Sequence, residues 1–156
     1  MGKKVVVVGV GNILCGDDGL GVHVVKSLSL ESLPPGVSVL DGGTAGIDIL
    51  YLIEDADYAI IVDALDAGAE SGVMFRIPWE EMENRELKEQ MASLHDFNLL
   101  TVLSLADYLG KMPYVVIFGV QPENIKLGDE MSPAVRGVLP TLVQSIKKEI
   151  YNAVGL

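Results

Sequence analysis

Apolar and polar positions alternate along this chain in a pattern that switches repeatedly between short continuous hydrophobic runs and helical spacing. Residues 5–8 are four consecutive valines, and a β-branched run without polar interruption reads as a strand covered on both faces, as in a parallel sheet. From about Asp18 to Leu30, the apolar residues Leu20, Val24, Val25 and Leu28 recur at helical spacing. Pro34-Pro35-Gly36 breaks the chain, and residues 37–41 form a second short strand that ends in Asp41. The loop Gly42-Gly43-Thr44-Ala45-Gly46 follows, and Ile47, Leu50 and Tyr51 mark a second helix. Residues 58–62 are the most hydrophobic strand, ending at Asp63. Residues 73–77 form another strand, and the connection 66–72 is too short for a crossover helix, which predicts an antiparallel neighbour at the sheet edge.

The second half continues the alternation. Residues 79–90 are acidic and weakly amphipathic, with Trp79, Met82 and Leu87 as apolar members, and predict a loosely packed helix or a lid. His95 and Asp96 precede a helix carrying Phe97, Leu100, Leu103 and Leu105, and residues 114–120 complete the sheet. Ser132-Pro133 caps a C-terminal helix with Val135, Leu139, Leu142, Ile146 and Ile150 on one side, and Pro140 is expected to kink it. The expected architecture is α/β: a three-layer sandwich with a twisted, mostly parallel five-stranded sheet, helices on both faces and one antiparallel edge strand.

Composition adds limits to that picture. A chain of 156 residues, 49% hydrophobic, fits a single domain over 1–156 with a substantial core. Its net charge of −11 argues against a nucleic-acid partner, because affinity for phosphate backbones comes from Lys and Arg. The surface suits cations or a basic protein segment instead. A single cysteine, Cys15, rules out an intrachain disulfide and fits a reducing compartment. No apolar stretch approaches the roughly 18 residues of a membrane span, so the expectation is a cytoplasmic protein with no membrane partner.

The chemistry concentrates at strand ends. The turn after the first strand, Gly9-Val10-Gly11-Asn12-Ile13-Leu14-Cys15-Gly16, spaces Gly11 and Gly16 as a phosphate-binding loop does, but Asp17 and Asp18 stand where Lys and Ser/Thr belong. Two adjacent acids repel an anion and invite a cation. A dinucleotide fingerprint would need glycine at Leu14. Asp41 could hold a ribose hydroxyl, but it lies 30 residues past Gly11, where about 20 is usual.

Asp18 and Asp63 end two strands expected to be adjacent, and His95 opens a helix from which its imidazole can join them. Two carboxylates and one imidazole suit Zn²⁺, Ni²⁺ or a similar divalent ion, with coordination positions left open. Each residue alone has a plainer role: Asp18 and Asp17 as helix-capping acids, Asp63 as a turn former, His95 as a surface histidine. His23 falls about 140° around the helix from Asp18 and reads as structural. A Cys15–His95 nucleophile pair is a further alternative, opposed by the like charge of Asp17 and Asp18 beside the thiolate.

The combination of Gly9-Val10-Gly11-Asn12-Ile13-Leu14, Asp17-Asp18-Gly19 and Gly21-Val22 with Asp41-Gly42-Gly43-Thr44 and Gly46 resembles the hydrogenase maturation endopeptidases. The likeness continues through Ile61-Val62-Asp63-Ala64, His95, Gly119-Val120-Gln121-Pro122-Glu123, Leu127-Gly128 and Met131-Ser132-Pro133, covering nearly the whole chain. It implies an enzyme that removes the C-terminal extension from the large-subunit precursor of a [NiFe] hydrogenase after nickel insertion. The implied metal ligands, also the catalytic residues, fall on Asp18, Asp63 and His95. The implied metal is nickel carried by the precursor, with Zn or Cd as substitutes in vitro. Asp41, Gly42, Gly43 and Thr44 border the expected peptide groove, and Gln121 is a candidate amide partner for substrate. A nucleotide-binding oxidoreductase domain and a non-catalytic nickel-binding maturation chaperone are the competing readings.

Overall fold

The computed structural model describes residues 2–44, 46–83 and 97–156. Five strands form one sheet: β1 (Val5–Gly9), β2 (Val37–Asp41), β3 (Tyr58–Ala64), β4 (Met74–Pro78) and β5 (Tyr114–Val120). Their order is β2-β1-β3-β5-β4, with β1, β2, β3 and β5 parallel and β4 antiparallel to β5 at the edge. The helices are α1 (Leu20–Ser29), α2 (Asp48–Ile53), α3 (Phe97–Tyr108) and α4 (Pro133–Ala153), with short 3₁₀ turns at Gly16–Gly19 and Trp79–Glu83.

Alternation along the strands explains the uninterrupted apolar runs. Val5, Val7, Ile60, Val62, Val116 and Phe118 pack with Leu20, Val24 and Leu28 of α1 and with Leu142, Ile146 and Ile150 of α4. Val6, Val8, Ala59, Ile61, Val115 and Ile117 pack on the other face with Ile49 and Ile53 of α2 and Leu99, Val102 and Leu103 of α3. Both faces are sealed, so neither parity of the central strands can be polar. The expected three layers and antiparallel edge are therefore observed, and Pro78 closes the edge strand where a missing N–H costs no ladder bond.

Several details differ from the sequence expectation. Ile47 and Tyr51 are exposed, and the core face of α2 is Ile49, Leu50 and Ile53. The first helix begins at Leu20, because Asp17 and Asp18 belong to the preceding 3₁₀ turn. The segment 79–90 starts as the 3₁₀ turn Trp79–Glu83, with Met82 fully buried; its remainder lies outside the described residues. Among the described residues no helix is long and apolar enough to cross a membrane.

One close approach fixes the geometry of the candidate site. α1 crosses the end of β1 so tightly that a Cβ on Gly21 would lie 2.2 Å from the Val62 carbonyl oxygen and 2.6 Å from that of Val10. A Cβ on Gly9 would meet the Gly21 carbonyl oxygen at 2.2 Å. Both contacts are with backbone, which cannot swing aside. The absence of side chains at Gly9 and Gly21 thus lets the turn carrying Asp18 sit directly against the end of β3.

Candidate active site

Because β1, β2, β3 and β5 run parallel, all their C-terminal ends open on one side of the sheet, where α/β proteins bind ligands. Asp18 reaches this rim from the turn after β1. Its Oδ2 accepts from the Asn12 amide at 3.0 Å, and its main chain approaches Gly11 so closely that a Cβ there would be 1.8 Å from the Asp18 carbonyl oxygen. Gly11 also has φ of 130°, a conformation that L side chains rarely adopt. Asp63 reaches the same rim as the penultimate residue of β3. It is 1% exposed, and its Oδ1 accepts from the Ala64 amide at 2.8 Å. β1 and β3 are neighbours, and the Val10 amide donates to the Val62 carbonyl at 2.8 Å. The structure therefore brings the turn of Asp18 and the strand end of Asp63 together.

His95 lies outside the described residues. It precedes α3, which packs on the same sheet face as Ile61, the face toward which the alternation of β3 turns Asp63. Among the described residues no group of three His, Cys, Asp or Glu side chains is placed to hold a metal.

The neighbouring acid has a different task from the helix-capping one expected. Asp17 is fully buried and caps nothing. Its Oδ2 accepts from the Glu123 amide at 2.8 Å, the Asn124 amide at 3.0 Å and the Ser132 hydroxyl at 2.8 Å, while Oδ1 accepts from the Ser132 amide at 2.7 Å. In return its own amide donates to the Asn124 carbonyl at 2.6 Å. Hydrogen bonds to an ionised carboxylate are roughly twice as strong as neutral ones, so Asp17 bolts the segment after β5 to the turn of Asp18. Sequence reasoning identified Ser132 as the α4 cap, which it is, but not its bond to an acid 115 residues away.

The phosphate-loop spacing does not make an anion cradle. The amides of Gly11, Asn12, Leu14, Cys15, Asp17 and Asp18 all donate within the chain, to Gly43, Asp18, Asn12, Asn12, Asn124 and Cys15 respectively. No row of free amides is turned outward there to receive a phosphate. Cys15 is a half-buried free thiol. His23 is exposed on α1, and partial burial with the Lys26 and Arg136 charges holds its pKa below the ordinary value.

Asp41, Gly43 and Thr44 form an exposed lip beside the turn. The Gly43 amide donates to Asp41 Oδ1 at 2.8 Å, the Gly11 amide to the Gly43 carbonyl at 2.8 Å, and the half-buried Gly42 to the Gly9 carbonyl at 2.7 Å. Gln121 is buried and faces the loop after β3. Its Oε1 accepts from the Ala67 and Ala69 amides at 2.8 and 3.2 Å, and its Nε2 donates to Asp66 Oδ1 at 2.9 Å. Those bonds occupy its carbonyl oxygen, so its role in the structure is to brace the 66–69 loop. Gln121 and the Gly68 amide together hold the Asp66 carboxyl below the usual carboxylate range. A cavity of about 420 Å³ lies between β4 and α4, lined by Phe118, Leu142 and Glu149 among others, and neither Asp18 nor Asp63 borders it.

Comparison with known proteins places this arrangement. Residues 22–149 match the family described as hydrogenase maturation protease. The hydrogenase expression/formation protein HupD of Rhizobium leguminosarum bv. viciae is 34% identical over 145 residues, covering 91% of this chain and 71% of that protein. A putative hydrogenase maturation protease of Methanocaldococcus jannaschii, MJ0253, is 33% identical over 94% of this chain and 98% of its own length. Among solved structures, the hydrogenase maturating endopeptidase HybD from E. coli superposes with a TM-score of 0.83 at 30% identity, covering 96% of this chain and 93% of that one. The chain therefore belongs to the hydrogenase maturation protease family.

Proposed function

We propose that this protein is an endopeptidase that removes the C-terminal extension from the large-subunit precursor of a [NiFe] hydrogenase once nickel is in place. The observation that carries the reading is the delivery of Asp18 and Asp63 to one rim by two adjacent parallel strands, in a chain of this protease family. Nickel enters the reaction as part of the substrate. Asp18 and Asp63 offer oxygen donors and His95 an imidazole, a set that suits a divalent ion in the borderline range. Zn²⁺ or Cd²⁺ would take the same donors in vitro.

Neighbouring amides and glycines hold the two carboxylates of that set. The Asn12 amide fixes one oxygen of Asp18, and the Ala64 amide fixes one oxygen of Asp63. The glycines at 9, 11 and 21 allow the two backbones to approach. A gripped metal would supply recognition of a finished centre and polarisation of a nearby carbonyl or water. The lip at Asp41, Gly42, Gly43 and Thr44 borders the path of the peptide tail.

Incubation with nickel-loaded and nickel-free precursor tests the reading. The expected outcome is shortening of the loaded precursor only, abolished by Asp18→Asn and by His95→Ala. Equal cleavage by either variant would remove those residues from the site, and no cleavage by the parent protein would refute the activity. Binding without cleavage would favour a chaperone.

A further inference from the structure

The rim around Asp18 exposes aliphatic side chains that a sealed α/β core would normally hide. Ile13 is 46% exposed, Leu14 61% and Leu127 77%. Leu14 follows β1 and Leu127 follows β5, so both stand at the C-terminal end of the sheet. They are also tied together: the Gly128 amide donates to the Leu14 carbonyl at 2.8 Å. Leu127 sits in a closed turn in which the Lys126 amide donates to Asp129 Oδ2 and the Asp129 amide to the Lys126 carbonyl, each at 2.9 Å. Leu14 sits in a turn held by Asn12, whose Oδ1 accepts from the Leu14 amide at 2.9 Å. The Asp17 bonds to Glu123, Asn124 and Ser132 lock the two turns against each other. The backbone bonds fix the two turns on which these exposed leucines stand.

Acids outnumber cations on the same rim: Asp41, Glu123 and Glu130 are exposed there, with Lys126 in the leucine turn and Arg136 beside Ile13 and Glu130 as the cations. Exposed apolar patches on soluble proteins mark interaction sites, and a preformed patch lowers the ordering cost of binding. We propose that the Leu14–Leu127 rim is the docking surface for a segment of the precursor in which aliphatic side chains alternate with Lys or Arg. The inference rests on the protease reading for the identity of the partner. The aliphatic side chains of the segment cover the leucines, and its cations face the acids.

Direct binding tests the rim separately from hydrolysis. With immobilised nickel-loaded precursor, Leu14→Asp and Leu127→Asp are each expected to raise Kd about tenfold or more, the size for one leucine returned to water. Leu127→Ser, which adds no charge, should weaken binding in the same direction. Tyr108→Asp, at an 88% exposed position on the last turn of α3, should leave Kd unchanged. Raising NaCl from about 0.05 to 0.5 M should weaken binding, because exposed charges are screened over that range. Glu123→Lys with Glu130→Lys should weaken binding and flatten its salt dependence. Unchanged Kd in the leucine variants, or no binding by the parent protein, would overturn the rim. Affinity that rises with salt would overturn a basic occupant. Rim-dependent binding without cleavage would leave the rim standing and refute the protease activity.

Discussion

Removing the Asp17 carboxylate is the sharpest test of how the rim is built. In Asp17→Ala, the amides of Glu123, Asn124 and Ser132 and the Ser132 hydroxyl lose their acceptor in a fully buried place. An unsatisfied buried donor costs about 1–3 kcal/mol, but the four share one loop that relaxes as a unit. The hydroxyl can also rotate to another acceptor. A total of about 4 kcal/mol is therefore expected, within the range for breaking a buried charged network. For a chain of this size about 1 kcal/mol corresponds to roughly 2–4 °C, so Tm should fall by about 8–16 °C. Asp17→Asn tests the direction of the argument. If its amide oxygen takes the Oδ2 position, three bonds survive, but the amide nitrogen then faces the Ser132 amide, a donor against a donor. A loss of about 2 kcal/mol follows from one bond replaced by a repulsive contact. Ser132→Ala should cost about 1–2 kcal/mol, because that hydroxyl both donates to Asp17 and caps α4 at Val135. Urea melts monitored by circular dichroism give all three values. An Asp17→Ala variant within about 1 kcal/mol of the parent, smaller than the cost of a single orphaned donor, would refute the clamp.

Two glycine substitutions should act with opposite sign. Gly21→Ala drives a Cβ onto the Val62 and Val10 carbonyl oxygens and should cost at least about 3 kcal/mol as overpacking against backbone. Gly137→Ala, exposed inside α4 with open space around it, should stabilise by about 0.5–1 kcal/mol; thermal melts compare them directly. Stability should also depend on pH through the Tyr58–Glu149–Arg76 cluster, in which Arg76 Nε and Nη2 donate to Glu149 at 2.9 and 2.8 Å and the Tyr58 hydroxyl donates to the same carboxylate. The Arg76 guanidinium and then the Tyr58 hydroxyl depress the Glu149 pKa against the opposing effect of burial. Its contribution is therefore present above the unfolded carboxyl value, about 4.3, and lost as pH falls through the depressed folded value. Burial and Glu149 raise the Tyr58 pKa, so its contribution is present below about 10 and lost as pH rises toward the folded value. Melts across pH should show both limbs, with Glu149→Gln flattening the acid one and Tyr58→Phe the alkaline one; unchanged limbs would refute the assignment.

The parts of the fold that were legible in the sequence are those where one local rule decides. Residues 5–8 read as a strand buried on both faces and 114–120 as the strand that completes the sheet, and the short 66–72 connection leaves no room for a crossover helix, which makes the next strand an antiparallel edge. The arrival of Asp18 and Asp63 at one end of the sheet was legible too, Asp63 near the end of β3 and Asp18 in the turn that follows β1, since ligands collect at such ends. The helix marked by Ile47, Leu50 and Tyr51 is present, but its core face was not legible, because α2 spans six residues, too few for helical spacing to distinguish two faces. The role of Asp17 was hidden for a different reason. A helix-start acid is locally sufficient as a cap, and nothing in residues 9–21 signals that its acceptors are filled by donors more than 100 positions away. Adjacent carboxylates in one turn have thereby separated in function: Asp17 is neutralised by backbone and hydroxyl donors inside the protein, whereas Asp18 keeps one oxygen tied to Asn12 at the open rim. Burial accompanies that division: Asp17, at zero exposure, has its oxygens filled by four donors, while Asp18 stays half-buried at the rim.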